Sequence, residues 1–201
     1  MAGPDKSIIG QFLEDLAEPR PDPGGGAAAA YGALVGLALA RKVGRLEVQR
    51  DRADDSAREF WVAILSRIDE LESDLLVLLR ADGDAYARLA EAKRSLHGET
   101  ETHPAIRASV DPTLLMMESA QRCLDCVSLM ARQCRRHLIS DLQVAIEFMG
   151  AAIEGAFRIA AANAKLVRPA GERASLSREL ETVRERGRRQ VQSVRDQLAT
   201  C

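Results

Sequence analysis

The chain has 201 residues, 46% of them apolar and only 3% aromatic, with 28 Lys and Arg set against 30 Asp and Glu for a formal net charge of −2. That length supports one core, so a single domain over 1–201 is expected, and the dominance of Ala, Leu, Arg and Glu over β-branched and aromatic residues points to an all-α bundle of mostly antiparallel helices. The mixed charge excludes the basic stripe of a nucleic-acid binder, the apolar run 27–40 falls short of the about 20 residues a bilayer span needs, and Met1 to Gly10 lacks the basic-then-apolar order of a secretory signal, which makes the cytoplasm the expected compartment.

Ile8, Ile9, Phe12, Leu13 and Leu16 share one face of a short first helix from Ser7 to Ala17. The segment 18–26 ends it, because its three prolines remove donors and its three glycines permit positive φ. A second helix then runs to about Arg50, with Ala28, Gly32, Gly36, Ala40 and Gly44 at every fourth position. That row of small side chains predicts close packing against another helix. The third helix, from about Asp54 to Arg80, carries a wide apolar stripe that includes Trp61, Ile64, Ile68, Leu71 and Leu75. Ala81, Asp82, Gly83 and Asp84 interrupt or end it, a shorter helix follows to about Ser95, and the polar stretch from His97 to Asp111, with Pro104 inside, reads as a loop.

Pro112 suits the first turn of a fifth helix capped by Asp111, which continues to about Leu138 and leaves Arg132, Arg135, Arg136 and His137 near its negative end. Ser140 or Asp141 caps a sixth helix, whose Leu142, Ile146, Met149, Ile153, Phe157 and Ala160 face inward until 168–171 stops it. The last helix, from Ser175 to about Ala199, bears a narrow apolar seam of Leu176, Leu180, Val183, Gly187, Val191, Val194 and Leu198 on a strongly charged surface. That seam needs a partner on one side only, either in the same chain or in a second subunit, and so hints at an oligomer contact. Cys123, Cys126, Cys134 and His137 imitate a zinc spacing, yet on one helix Cys123 and Cys134 stand roughly 16 Å apart at 1.5 Å per residue. They cannot share one tetrahedral ion, so reduced structural thiols and no metal site are expected.

Pro23, Gly24, Gly25 and Gly26 lead directly into a helix, an arrangement that opens the unsatisfied N–H groups of the first turn to an anionic or electron-rich ligand. The same glycines serve equally as a flexible lead into a tightly packed helix. They lack the Lys-Ser/Thr of a P-loop and the preceding strand of a dinucleotide fingerprint. No Ser-His-Asp order, His-Glu-x-x-His or Glu-x-x-His pair occurs. The candidates for acid–base chemistry are therefore two carboxylates at expected helix ends, Asp82 and Asp141, with capping as the alternative role.

Taken together, the Pro23-Gly24-Gly25-Gly26 start of an Ala/Gly-rich helix and the segment Ser140-Asp141-Leu142-Gln143-Val144-Ala145 resemble the formiminotetrahydrofolate cyclodeaminase and methenyltetrahydrofolate cyclohydrolase family. Between them, Asp82-Gly83-Asp84-Ala85-Tyr86 looks like the family's Asp-x-x-Ala-aromatic segment, and Asn163 matches the second of two late asparagines. The sequence departs at Ala27, where the family usually has Ser, and at Ile159, where it usually has the first Asn. A hydroxyl and an amide are thereby lost from the implied pocket wall. The resemblance runs from Ser7 to Val167 and, in helix order, over the whole chain.

It implies an all-helical homodimer acting on a one-carbon unit carried by tetrahydrofolate, with no tightly bound cofactor and the folate derivative as substrate. The reaction is either hydrolytic opening of the methenyl bridge or closure of formimino-folate with loss of ammonia. Asp82 and Asp141 become the catalytic carboxylates. Pro23, Gly24, Gly25, Gly26, Ala27, Tyr86 and Asn163 become the substrate contacts, and all of these are expected to meet in one cleft at one end of the bundle. The alternatives are the same fold acting as a cyclase or hydrolase on a non-folate substrate, and a non-catalytic helical scaffold built on the small-residue row and the terminal seam.

Overall fold

Small side chains on the second helix set the positions of its neighbours. The computed structural model describes residues 8–50, 54–94 and 99–200. These form seven α-helices, α1 (Ile8–Ala17), α2 (Gly25–Val48), α3 (Asp55–Arg94), α4 (Glu99–Ala108), α5 (Asp111–Ala131), α6 (Ile139–Ala164) and α7 (Ala170–Ala199), with a 3-10 turn at Arg136–Leu138. Among the described residues the fold is all-α. The expected helix start at Ser7, the helix end at Ser95 and the loop start at His97 lie outside the described residues.

α2 and α6 run antiparallel with their backbones close together. Gly25 faces Ile159, Gly155 faces Ala29 and Gly32 faces Ala152, while a Cβ at residue 36 would stand 2.7 Å from the Ala145 carbonyl oxygen. At Gly36 a side chain larger than hydrogen would hold the helices apart, whereas at Gly32 a Cβ would make ordinary contact. Ala28, in the same fourfold row, is solvent-exposed instead. On its other side α2 meets α3, also antiparallel: Gly26 lies against Asp82 and Gly44 against Leu65. Between those points Arg41 donates to Glu72 at 2.7 and 2.8 Å and to Asp69 at 2.9 Å. α5 packs on α3, α6 and α7 and fills the centre with Met117, Leu124, Val127 and Met130, all fully buried.

Four local expectations are corrected. Residues 81–84 do not break the third helix, which runs unbroken for 40 residues; Gly83 weakens a helix by only about 1 kcal/mol relative to Ala, and burial of Ala85 and Leu89 just beyond offsets it. The stretch read as a loop contains α4, with Pro104 inside it, held by burial of Ile106. Asp111 and Ser140 or Asp141 are not caps, since Val110 and Leu138 occupy those positions without side-chain bonds. α5 stops at Ala131. Past it, Arg135 donates its backbone N–H at 2.9 Å and its Nε at 3.0 Å to Oε1 of Glu47, which is 1% exposed. Arg135 thus ties the end of α5 to the end of α2 and does not act as a counter-charge to the α5 dipole.

Of the two partners open to the terminal seam, the one it meets is its own chain. α7 packs on α5 and α6 of its own chain and buries Leu176 through Leu198 there, so this helix leaves no apolar seam for a second subunit. Arg184 fixes it in register, donating to both oxygens of Glu154 and stacking 4.3 Å from the Phe157 ring centroid. Cys123 and Cys126 are fully buried on α5, and burial pushes both thiols above their usual range. Among the described residues no group of three or more His, Cys, Asp or Glu is placed to hold a metal ion, and no helix is long and apolar enough to cross a membrane.

Candidate functional site

Gly24, extended at the start of α2, has no side chain to bond the N–H groups of the first turn. That turn is therefore walled by what its neighbours bring to it. α3 brings Asp82. A Cβ at residue 26 would stand 2.6 Å from Asp82 Cγ, so the carboxylate occupies the space that glycine leaves open. The loop before α2 brings Asp22, whose carboxylate lies against Gly83, and the Asp22–Pro23 peptide is cis. From the end of α6 come Ile159 and Asn163. Asn163 Nδ2 donates to the Ser109 carbonyl at 3.1 Å, which ties the end of α6 to the turn between α4 and α5.

These groups enclose a cleft of about 200 Å³, enough for one ring or a small reacting group. It adjoins an open groove of about 720 Å³ that shares Pro21, Asp22, Gly83 and Tyr86 with it. Phe12 and Tyr31, with ring centroids 4.3 Å apart, line the groove with Tyr86, while Arg80 and Arg94 add positive charge. Burial, and secondarily the negative charge of Asp22, raises the proton affinity of Asp82 above that of an ordinary carboxylate. A raised proton affinity in a cleft is the direction that suits a carboxylate to general acid–base work.

Gly24, Gly25, Gly26, Asp82, Tyr86 and Asn163 line the cleft, and Pro23 lines the adjoining groove. Ala27 is buried and is not a lining residue. Asp82 sits mid-helix, so it is neither a cap nor at a chain reversal. The expectation that Asp141 joins it in one cleft of the same chain is overturned. Asp141 Oδ2 lies 2.8 Å from Lys42 Nζ, and Lys42 is roughly 24 Å along α2 from Gly26 at 1.5 Å per residue. The cause is the antiparallel pairing: the start of α6 falls at the far end of α2, and only the end of α6 reaches the glycines.

Sequence reasoning missed Asp22, Ser109, Arg80, Arg94, Phe12 and Tyr31. Asp22 stands directly before the Pro-Gly-Gly-Gly run, where an acidic residue among helix breakers was a readable signal. Phe12 and Tyr31 are two of the chain's few aromatic residues. Ser109 and the arginines carried no signal, because the loop reading hid the turn that presents Ser109.

The helical bundle that carries this cleft has an all-α cyclodeaminase fold. The profile of the formiminotransferase-cyclodeaminase family matches residues 8–182, and the chain belongs to that family. Among solved structures, formiminotetrahydrofolate cyclodeaminase from Thermotoga maritima is similar with a TM-score of 0.87, covering 97% of each chain at 20% sequence identity. No match is found among curated protein sequences.

Proposed function

We propose that this protein is a cytoplasmic homodimer that acts on a one-carbon unit carried by tetrahydrofolate, either opening the methenyl bridge with water or closing formimino-folate with loss of ammonia. The observation that carries this reading is the position of Asp82, half-buried near Asp22 and in contact with the open first turn of α2. In ring opening, the ionised Asp82 takes a proton from water as the water oxygen bonds to the carbon between the two nitrogens. The protonated Asp82 then returns that proton to the nitrogen whose bond to the same carbon breaks, and the remaining hydroxyl proton passes to solvent as the formyl C=O forms. In ring closure, the second nitrogen bonds to the formimino carbon and gives its proton to the imino nitrogen, and the protonated Asp82 then donates to that nitrogen as its bond to the carbon breaks and it leaves as ammonia. The N–H groups of Gly25 and Gly26, in the first turn of α2, favour negative charge or a carbonyl oxygen near that carbon.

The adjoining groove suits the rest of such a substrate. Phe12, Tyr31 and Tyr86 offer faces to flat rings, and Arg80 and Arg94 offer donors to a tail carboxylate. The test is loss of the methenyl chromophore on adding purified protein, compared with Asp82→Asn. Turnover that disappears in the variant supports the reading, and unchanged absorbance with wild-type protein overturns ring opening. Ammonia release from formimino-folate tests ring closure in the same way.

A second reading is favoured by Ile159, whose side chain lines the cleft against Gly25 where the resembled family has an amide. An apolar wall there suits a less polar substrate than a pterin ring. Titration with an unreactive folate separates the two, because a repurposed cleft leaves that ligand unbound.

A further inference from the structure

The wall of the glycine cleft is unbalanced in charge. Asp22 from the loop before α2 and Asp82 from α3 both line it, and no lysine, arginine or histidine does. Among the described residues no ion pair joins either carboxylate to a cation. Elsewhere in the bundle, carboxylates drawn out of solvent are matched: Glu47 meets Arg135, Glu154 meets Arg184 and Arg188, and Asp141 meets Lys42. The start of α2 brings the cleft only about half a positive charge against the two carboxylates.

The fold itself does not need a charge at residue 22. Gly24, not Asp22, caps α2, and Asp22 is exposed. Its carboxylate reaches over Gly83, with one oxygen 3.5 Å from where a Cβ on residue 83 would stand. That places it one residue from Asp82, at the neck where the cleft opens into the groove. Its charge adds to burial in raising the proton affinity of Asp82. Two like charges on one small cleft repel each other, and a cation between them relieves that repulsion.

Positive side chains enter the site only beyond that neck, where Arg80 and Arg94 line the groove together with Asp84. A ligand that matches this order has a cationic head in the cleft and an anionic tail in the groove. The forms of a one-carbon unit differ in the charge of that head. A methenyl bridge is an amidinium whose positive charge is shared by two nitrogens, and a formimino group is an amidine that is protonated in neutral water. A formyl group on the same nitrogen is a neutral amide of similar size.

We propose that Asp22 determines specificity by charge: together with Asp82 it makes the cleft bind the flat amidinium form of the one-carbon unit and discriminate against the neutral formyl form. In ring opening the positive charge is lost, so the product is held less tightly than the substrate. The proposal rests on the functional reading above for the identity of the ligand, while the preference of the cleft for a flat cation is independent of it.

Two probes of matched shape test it, the cation benzamidinium and the neutral benzamide, each small enough for a cleft of about 200 Å³. NMR titration followed at the backbone amides of Gly24, Gly25 and Gly26 and at the side-chain amide of Asn163 reports binding in the cleft itself. Wild-type protein binds benzamidinium at least about tenfold more tightly than benzamide, as attraction to two nearby carboxylates requires. Asp22→Asn keeps the shape and lowers that preference about fivefold, with the affinity for benzamide unchanged. Asp22→Ser repeats the loss with a smaller side chain, and circular dichroism shows that both variants stay folded. Asp84→Asn, which removes a charge from the groove and not from the cleft wall, leaves the preference intact. Equal affinity for the two probes in wild-type protein, an unchanged preference in the Asp22 variants, or an equal loss in Asp84→Asn overturns the proposal. None of these readouts involves folate. A charge preference without folate turnover defeats the functional reading alone, and turnover without the preference defeats the role of Asp22 alone.

Discussion

Gly26 and Asp82 share one small space: the carboxylate from α3 occupies the position that a side chain on the first turn of α2 would need. Gly26→Ala must therefore push the carboxylate aside while both helices stay in place. A displacement of about 1 Å at a reacting group costs on the order of 10²-fold in rate. The expected outcome is such a loss in turnover with the melting temperature nearly unchanged. Retained turnover would show that the carboxylate does not act from its observed position.

Asp82→Asn preserves shape and removes the titrating proton. Turnover should fall by about 10²–10⁴-fold, the range for losing a positioned acid or base. The pH dependence has a definite sign. Burial and Asp22 raise the proton affinity of Asp82 in the fold, so between its ordinary value and its raised value the native state binds more protons than the unfolded state, and stability falls as pH rises. The wild-type protein loses that contribution fully above the raised value. The variant cannot ionise, so its stability relative to wild type should increase through that window and be smallest in acid. Thermal melts across pH, with an opposite trend, would contradict the assignment.

Gly36→Leu should be among the most damaging single changes outside the cleft. Even a Cβ at this position would stand 2.7 Å from the Ala145 carbonyl oxygen and 3.2 Å from Met149 Cγ. Overpacking of this kind costs about 1–3 kcal/mol where the protein still folds. Urea unfolding measures the loss, and a variant of wild-type stability would refute the close contact between α2 and α6.

Glu47→Gln should destabilise without touching the cleft. The buried carboxylate of Glu47 accepts both the backbone N–H and Nε of Arg135, and charged hydrogen bonds of this kind contribute about 1.5–3 kcal/mol. Arg135→Ala should cost at least as much, because it leaves the buried carboxylate without its cation, held only by the backbone N–H of residue 135. Chemical denaturation measures both, and a melting curve like that of the wild type in Arg135→Ala would show that the pair is immaterial.

The helices were legible because their apolar periodicity and glycine rows report directly on burial; the seam from Leu176 to Leu198 and the row at Gly32, Gly36 and Gly44 are both found packed. What the spacing could not tell was which surface a seam meets, and α7 turned out to pack within its own chain. Residues 81–84 misled because Asp and Gly discourage helices only weakly, and packing at Ala85 and Leu89 outweighs them. Asp82 was selected as a helix-end residue, yet it lines the cleft from mid-helix. Asp141 does begin a helix, but whether two helix ends meet depends on the pairing of α2 with α6, a long-range property that no local motif encodes.

An unbroken α3 also makes the cleft mechanically dependent on distant contacts. About 25 Å of rigid helix separates Leu65, pressed against Gly44, from Asp82 at 1.5 Å per residue. A pivot of roughly 2° at that fulcrum swings the carboxylate by about 0.9 Å over such a lever arm. Bulk added at Gly44, or loss of the Arg41 clamp on Glu72, therefore reaches Asp82 as a tilt and mistunes the site without a single residue of its wall being changed.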